Sequence, residues 1–188
     1  MERNEYEIFI PKMVDLGLPS GTLWADRNVG AMKPEDYGDY FRFGEVEPFT
    51  EQSPKYRWKA FHNGIERTDL DAATVHFNRK CHTPTFEQIK ELMDLCNHEW
   101  TEFNGINGLR VKGPNGNSIF LPAAGYRDCL DKTLTAVSLY GHYRSSTPIN
   151  QFSSYRLIIG ENLCEYDSIL GVNGYSIRAV AEEFESSS

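Results

Sequence analysis

Basic residues are in the minority in this chain, and their shortage limits the partners that it can bind. The sequence holds 19 lysines and arginines against 27 aspartates and glutamates, which gives a formal net charge of −8 at pH 7. A protein that binds nucleic acid by neutralising phosphates needs a basic surface, so this composition disfavours a nucleic-acid partner. The same negative charge disfavours adsorption to an anionic membrane surface.

Long hydrophobic runs are also missing. The longest apolar stretch, residues 119–124, is far shorter than the roughly 20 residues that a helix needs to cross a bilayer. We therefore predict no membrane insertion. Residues 1–7 lack the basic and apolar segments of a secretory signal, so we expect a protein that either stays inside the cell or has lost a preceding signal.

Closely spaced cysteines are absent as well. Cys81, Cys96, Cys129 and Cys164 stand far apart, and no Cys-x-x-Cys pair of a redox motif or zinc knuckle occurs. A chain of 188 residues can bury a core without disulfides. We therefore predict free thiols, with one disulfide as the alternative.

What the sequence does hold is the composition of one globular domain with many turns. Aromatic residues make up 13% of the chain, and 15 glycines and 9 prolines accompany them. This mixture favours short strands and turns over long helices. We predict a leader strand over residues 1–12, a single domain over 13–181 and a frayed tail over 182–188.

Local patterns predict an α+β domain, with helices early and antiparallel hairpins late. Thr85 and Gln88 have the spacing of a capping box, and the apolar residues behind them predict a helix over about 86–97. A second, short helix is predicted within 70–77. The other predicted elements are strand pairs over 14–25 and 109–121, strands over 154–159 and 175–180, and an irregular segment over 33–58.

Alternation and position in these elements also predict the core. The residues that we expect to be mostly buried are Trp24, Trp100, Leu121, Tyr126, Ile177 and Val180. Within the strand over 154–159, side chains should alternate between two faces. Tyr155, Leu157 and Ile159 are then expected on one face, and Ser154, Arg156 and Ile158 on the other.

Several sequence strings, taken in order, carry a resemblance to a known family. They are residues 14–25, 37–41 with 43–45, 83–85, 113–117, 121–127, 145–147 and 174–180. In this order the chain resembles the FISUMP (major paralogous domain) family of gut Bacteroidetes over residues 13–181. The resemblance implies a C-type-lectin-like fold, in which two short helices pack on a twisted antiparallel β-sheet with long irregular loops. That fold is shared with formylglycine-generating enzymes and with the variable proteins of diversity-generating retroelements, which use their C-terminal third as a binding face.

One departure from the family pattern concerns Arg144. It stands where the family has the tryptophan of a Gly-x-Tyr-Trp-Ser-Ser string. A charged guanidinium thus replaces a large apolar ring system. We therefore expect residues near 144 to contact a ligand rather than the core.

Catalytic and metal-binding roles find little support in the spacing of the reactive residues. Formylglycine-type oxidation uses a cysteine pair that binds a soft metal, but Cys129 and Cys164 lie 35 residues apart in unrelated segments. Four residues have types that suit zinc without the spacing of a known knuckle, namely Cys81, His82, Cys96 and His98. We predict that the chain is not an enzyme and holds no metal of these kinds.

Calcium is the one cofactor left open. Lectin-type calcium sites need clustered carboxylate and amide oxygens, and the Glu-Pro-Asn and Trp-Asn-Asp strings that often supply them do not occur. The nearest candidates are two aspartate pairs, Asp69 with Asp71 and Asp128 with Asp131.

Segment 140–173 is rich in Tyr, Asn, Ser, Arg and Phe, a composition typical of binding surfaces. The predicted ligand-binding residues are Tyr143, Arg144, Asn150, Gln151, Phe152, Ser154, Arg156, Glu165, Tyr166 and Asp167. Those expected to share one contiguous exposed surface are Tyr143, Arg144, Phe152, Arg156, Tyr166 and Asp167. We interpret the chain as a non-enzymatic recognition module for a protein or glycan on another surface.

Two alternative functions stay open. One is a retroelement variable protein, either a diversified binding protein or a phage receptor-binding protein. The other is a structural or adhesive surface domain without a dedicated ligand. The resemblance favours a location on a cell surface or a phage particle, and the sequence does not indicate an oligomeric state.

Overall fold

The computed structural model describes residues 10–182 of the chain. Most of the strand predicted over 1–12 and of the tail predicted over 182–188 lies outside the described residues. Residues 10–12 belong to no strand, and Glu182 ends the last strand rather than beginning a tail.

Within this segment the chain is mostly β with two short helices, so the predicted α+β class is confirmed at that level. The helices are α1 Ala72–His76 and α2 Phe86–Leu95. Neither of them is long and apolar enough to cross a membrane. The strands are β1 Met13–Asp15, β2 Thr22–Ala25, β3 Asn97–Phe103, β4 Ile106–Lys112, β5 Ser118–Pro122, β6 Tyr126–Arg127, β7 Leu134–Thr135, β8 Tyr140–Pro148, β9 Ser153–Gly160, β10 Leu163–Leu170 and β11 Val180–Glu182.

Antiparallel pairing divides these strands among four small sheets rather than one. Their strand orders are β1-β2-β11, β3-β4-β5, β10-β9-β8 and β6-β7. The strand pairs predicted over 14–25 and 109–121 are confirmed as β1-β2 and β4-β5. The strand predicted over 175–180 is only partly right, because Tyr175 and Ser176 form isolated bridges and β11 begins at Val180.

The irregular segment predicted over 33–58 is confirmed, with one bridge between Phe41 and Tyr175. Its backbone is nevertheless fixed, since the Phe41 N–H donates to the Tyr175 carbonyl and the Phe43 N–H donates to the Gly171 carbonyl, each at 2.9 Å. The rings of Phe41 and Phe43 are buried. This long loop is therefore part of the core and places its far end beside the C-terminal strands.

Helix α2 begins where the capping box predicts. Thr85 Oγ1 accepts from the Gln88 N–H at 3.3 Å, and Gln88 Oε1 accepts from the Thr85 N–H at 3.0 Å. The helix ends at Leu95, two residues before the predicted end, because Cys96 takes an extended conformation and β3 follows directly. The start of the helix is thus set by local chemistry and its end by the next strand.

Replacing Thr85 with alanine should lower the free energy of unfolding by roughly 0.5–2 kcal/mol, because the Gln88 N–H loses its acceptor. Urea denaturation measures the change. Thr50→Ala is the matched control, since Thr50 is exposed and its hydroxyl has no hydrogen-bond partner among residues 10–182. If the urea midpoint of Thr85→Ala is unchanged, the Thr85 cap does not stabilise α2.

Two main clusters of buried apolar side chains form the core. The first brings α2 together with strands of three sheets and includes Leu92, Leu121 and Leu157. The second brings α1 together with the β1-β2-β11 sheet and its flanking residues, and it includes Ala73 and Ile177. Both helices thus use their apolar faces to cover sheets.

Four of the six predicted core residues are buried, namely Trp24, Leu121, Ile177 and Val180. Trp100 and Tyr126 are only partly buried. Trp100 lies on β3, which has a neighbouring strand on one side only, and Tyr126 lies on the two-residue strand β6. Strand position, which the sequence does not reveal, explains both differences.

Candidate ligand-binding surface

Three of the predicted binding residues lie in the interior, so the exposure expected for Tyr143 and Arg144 is wrong. Tyr143, Arg144 and Ser154 are 3%, 2% and 0% exposed. Strand β8 pairs with β9 along one edge, and Tyr143 bridges Ser176 along the other. Residues 141–146 of β8 are all buried, so the side chains on both faces of this stretch are covered and do not form a surface.

Tyr143 is a core residue with a satisfied hydroxyl. Its ring packs in the same cluster as Leu157, and its Oη donates to the Pro122 carbonyl at 2.7 Å. Burial raises the pKa of Tyr143 to about 12. The phenol therefore joins β8 to the end of β5 and is not available to a ligand.

Arg144 is a buried guanidinium that has no ion pair with a carboxylate among residues 10–182. Its three nitrogens donate to the Phe41 carbonyl at 3.1 Å, to Ser154 Oγ at 3.3 Å and to the Asn173 carbonyl at 2.6 Å. The guanidinium carbon lies 4.7 Å from the centre of the Tyr175 ring. Burial lowers the pKa of Arg144 to about 10. These contacts contradict the expectation that Arg144 faces a ligand, because they join three distant segments inside the domain.

Arg156 and Asp167 form a cross-strand ion pair between β9 and β10. Their two nitrogen–oxygen distances are 2.7 and 3.1 Å. Arg156 Nη1 also donates to Tyr175 Oη at 2.9 Å and lies 3.3 Å from His142 Nδ1. Burial, together with the nearby Arg156 charge, lowers the pKa of His142 to about 4, so this imidazole is neutral at pH 7. The polar groups of this cluster are mainly occupied with one another.

Tyr166 faces away from Asp167, because successive side chains on a strand point to opposite faces of the sheet. Its ring stands edge-on to Phe86 with centroids 5.1 Å apart, and Phe86 stacks on Tyr155 at 3.8 Å. Glu165 is exposed and shares the face of Asp167. The expected single surface therefore does not exist, since its members lie in the core and on two faces of one hairpin.

Phe152 is the predicted residue around which an exposed apolar surface does form. It lies beside Trp58 and Leu170, and the three line a surface depression of about 400 Å³. Their exposed fractions are 46%, 55% and 49% respectively. The rings of Phe152 and Trp58 meet edge-to-face with centroids 5.7 Å apart. Trp58, Phe152 and Leu170 are called the apolar surface below.

Hydrogen bonds fix the backbone around the apolar surface. Asn150 Oδ1 accepts from the Phe152 N–H at 2.9 Å, so this predicted binding residue shapes its own loop. The Phe152 carbonyl accepts from the Gly171 N–H, and the Gln151 carbonyl accepts from the Phe61 N–H, each at 3.1 Å. Gln151 keeps an exposed side chain at the edge of the surface. The loop is thus anchored on two sides before any ligand binds.

Tyr56 supports Trp58 from the inside. The two rings meet edge-to-face at 5.3 Å, and Tyr56 Oη donates to the Phe43 carbonyl at 2.9 Å. Burial raises the pKa of Tyr56, so the phenol stays a hydrogen-bond donor at neutral pH. The sequence does not reveal the role of Trp58, because an indole among charged residues in an irregular segment belongs to no periodic pattern.

The residues considered for zinc are not brought together. Cys96 lies in the first core cluster and Cys81 in the second, and burial raises the pKa of each thiol to about 11. His82 uses both ring nitrogens, toward the Thr83 carbonyl at 2.8 Å and toward Glu182 at 2.9 Å. Among residues 10–182, no three His, Cys, Asp or Glu side chains form a group that could hold a metal ion. All four cysteines are free thiols.

The aspartates considered for calcium are bound to groups of the protein itself. Asp71 is fully buried, and Asp69 pairs with Arg79. Asp128 accepts from a backbone N–H two residues ahead at 2.7 Å, and Asp131 does the same at 2.9 Å. Hydrogen bonds within this turn lower the pKa of Asp131. The carboxylates of both pairs are therefore engaged by other groups of the protein.

No protein-family model, curated protein or solved structure matches this chain. The role of the apolar surface therefore rests on its own geometry and chemistry.

Proposed function

We propose that the chain is a non-enzymatic recognition module that binds a protein or glycan ligand through the apolar surface. The observation that carries the proposal is the cluster of Trp58, Phe152 and Leu170, each about half exposed. Exposed apolar patches of this kind mark interaction sites, whereas single exposed apolar residues are ordinary. Large aromatic side chains are also the residues that contribute most to binding energy in interfaces.

The position of the apolar surface suits a binding role. It is formed by the β8–β9 loop, the end of β10 and the end of the irregular segment, which backbone hydrogen bonds of Phe43 and Phe61 hold to the frame on either side of Trp58. Loops held on a rigid frame are where binding groups gather. A preformed surface also loses little conformational entropy when a ligand binds.

A C-type-lectin-like fold belongs to the same proposal. It is supported by the resemblance of the sequence strings and by the two short helices that precede most of the antiparallel strands. Phe152 and Leu170 fall in the C-terminal part of the chain, where variable proteins of that fold carry their binding face. Trp58 falls outside it, so the proposed surface uses one segment that the resemblance does not indicate.

Screening of glycan and peptide arrays should first identify a ligand. Replacing Phe152 with alanine should then reduce the binding free energy of that ligand by more than about 1 kcal/mol, which is about fivefold in affinity. The side chain is half exposed, so the melting temperature should change little. Titration calorimetry measures the affinity, and the arrays are probed with and without calcium.

Leu130→Ala is the matched control for Phe152→Ala, because Leu130 is 89% exposed in a different loop. It should leave affinity unchanged. Loss of the fold in Phe152→Ala, or equal affinity of the two variants, would remove the apolar surface as the binding site.

A further inference from the structure

Cationic residues flank Trp58 in the sequence of a chain that is acidic as a whole. Residues 55–59 read Lys-Tyr-Arg-Trp-Lys, whereas the full chain has a net charge of −8. Lys55, Arg57 and Lys59 are all exposed. None of the three forms an ion pair or hydrogen bond within residues 10–182, although most other arginines of that segment are paired or buried. These three charges are therefore available to an anionic partner.

The backbone of the same segment is also unpaired. Residues 55–60 are exposed apart from Tyr56 and make no backbone–backbone hydrogen bond with the described chain. Pairing resumes at Phe61, whose N–H donates to the Gln151 carbonyl at 3.1 Å. Residues 55–60 form no strand, yet their free N–H and C=O groups can hydrogen-bond an extended peptide, as the backbone of an exposed sheet edge does.

We propose that the ligand of the apolar surface is an acidic peptide segment of a partner protein. One large apolar side chain of the peptide sits on Trp58, Phe152 and Leu170, and its carboxylates face Lys55, Arg57 and Lys59. Its backbone lies alongside residues 55–60. This inference rests on the proposed function and narrows it to one class of ligand.

The lining of the depression favours a peptide over an anionic glycan. Its three lining side chains are all apolar. Orienting a sugar requires several polar groups that converge on its hydroxyls, and such groups do not line this depression. An apolar peptide side chain needs none, and the cations adjacent to Trp58 in the chain then supply attraction and register.

The test compares fluorescent nonapeptides by fluorescence polarisation. The first is rich in Asp and Glu with a central tryptophan, the second replaces the acids with lysine, and the third replaces the tryptophan with serine. The acidic tryptophan peptide should bind at least about tenfold more tightly than either of the others, and more weakly as salt is raised. N-methylation of alternate amides in the acidic tryptophan peptide should also weaken its binding, because the methyl groups remove main-chain hydrogen-bond donors.

The protein variant for this test is the triple charge reversal Lys55→Glu, Arg57→Glu and Lys59→Glu. This variant should bind the acidic peptide at least about tenfold more weakly than the unchanged protein does, and it should bind the lysine peptide more tightly. The control is Lys33→Glu, Lys80→Glu and Lys112→Glu, a reversal at three other exposed lysines. This control has the same change in net charge and should leave peptide binding within about twofold.

Failure of this inference can be distinguished from failure of the proposed function. Equal binding of acidic and lysine peptides, no binding of either, or equal effects of the two triple variants would overturn the acidic-peptide assignment. If a sulfated or sialylated oligosaccharide binds instead and Phe152→Ala abolishes it, the apolar surface remains a binding site for a ligand of another class.

Discussion

Replacing Arg144 with alanine is expected to lower the free energy of unfolding by at least about 3 kcal/mol. The guanidinium donates hydrogen bonds to the buried Phe41 carbonyl, to the part-buried Asn173 carbonyl and to the buried Ser154 Oγ. Without it the Phe41 carbonyl keeps only its hydrogen bond from the Tyr175 N–H, the Asn173 carbonyl and Ser154 Oγ each lose a donor, and the space over the Tyr175 ring becomes a cavity. Urea denaturation followed by tryptophan fluorescence measures the loss.

Two further variants separate the causes of this loss. Arg144→Met restores much of the volume but none of the donors, so most of the destabilisation should remain. Arg110→Ala removes a partly exposed arginine, whose contact with Glu99 is 3.7 Å, and should cost less than about 1 kcal/mol. A stable Arg144→Ala variant that has lost ligand affinity would instead return Arg144 to the binding site.

Features that depend on neighbouring residues could be predicted from the sequence. The capping box of Thr85 and Gln88 predicted the start of α2, and the turn over 113–117 predicted the β4-β5 hairpin. Alternation on β9 was also predicted, since Leu157 and Ile159 lie in the core while Arg156 faces the other side. In each case the deciding contacts are a few residues apart in the chain.

The burial of Tyr143 and Arg144 depends on contacts that are distant in sequence. Phe41, which accepts a hydrogen bond from Arg144, precedes it by 103 residues, and Ser176, which bridges Tyr143, follows by 33. A segment rich in Tyr, Arg and Ser has the same composition in a binding loop and in a buried polar strand. The composition therefore indicated polar and aromatic contacts for these side chains. It did not indicate whether the contacts are made with a ligand or with the interior of the protein.

The apolar surface was predicted only in part for a related reason. Phe152 was found because its segment has the composition of a binding loop, whereas Trp58 lies 94 residues earlier in an irregular segment. The two meet because residues 43, 61 and 151 tie that segment to the C-terminal strands by hydrogen bonds. Only the folded chain shows that an isolated indole and a loop phenylalanine form one surface.

Asp71 is another buried charge whose role the sequence did not reveal. It was considered with Asp69 as a calcium candidate, yet its carboxylate is 0% exposed and caps α1 by accepting from the Ala73 N–H at 3.1 Å. It also accepts from Thr74 Oγ1 at 2.7 Å and from the Thr83 N–H at 2.9 Å. One carboxylate thus joins the first turn of α1 to the residues that lead into α2.

Replacing Asp71 with alanine is therefore expected to lower the free energy of unfolding by about 3–5 kcal/mol, because several buried donors lose a charged acceptor at once. Asp71→Asn should recover only part of the loss, since its NH₂ group would face N–H and O–H donors. Asp69→Ala is the control, because Asp69 is exposed and its ion pair with Arg79 is a surface contact worth less than about 1 kcal/mol. If instead Asp71→Ala leaves stability unchanged without calcium and removes a stabilisation that calcium produces, Asp71 is a calcium ligand and its carboxylate does not have the capping role described above.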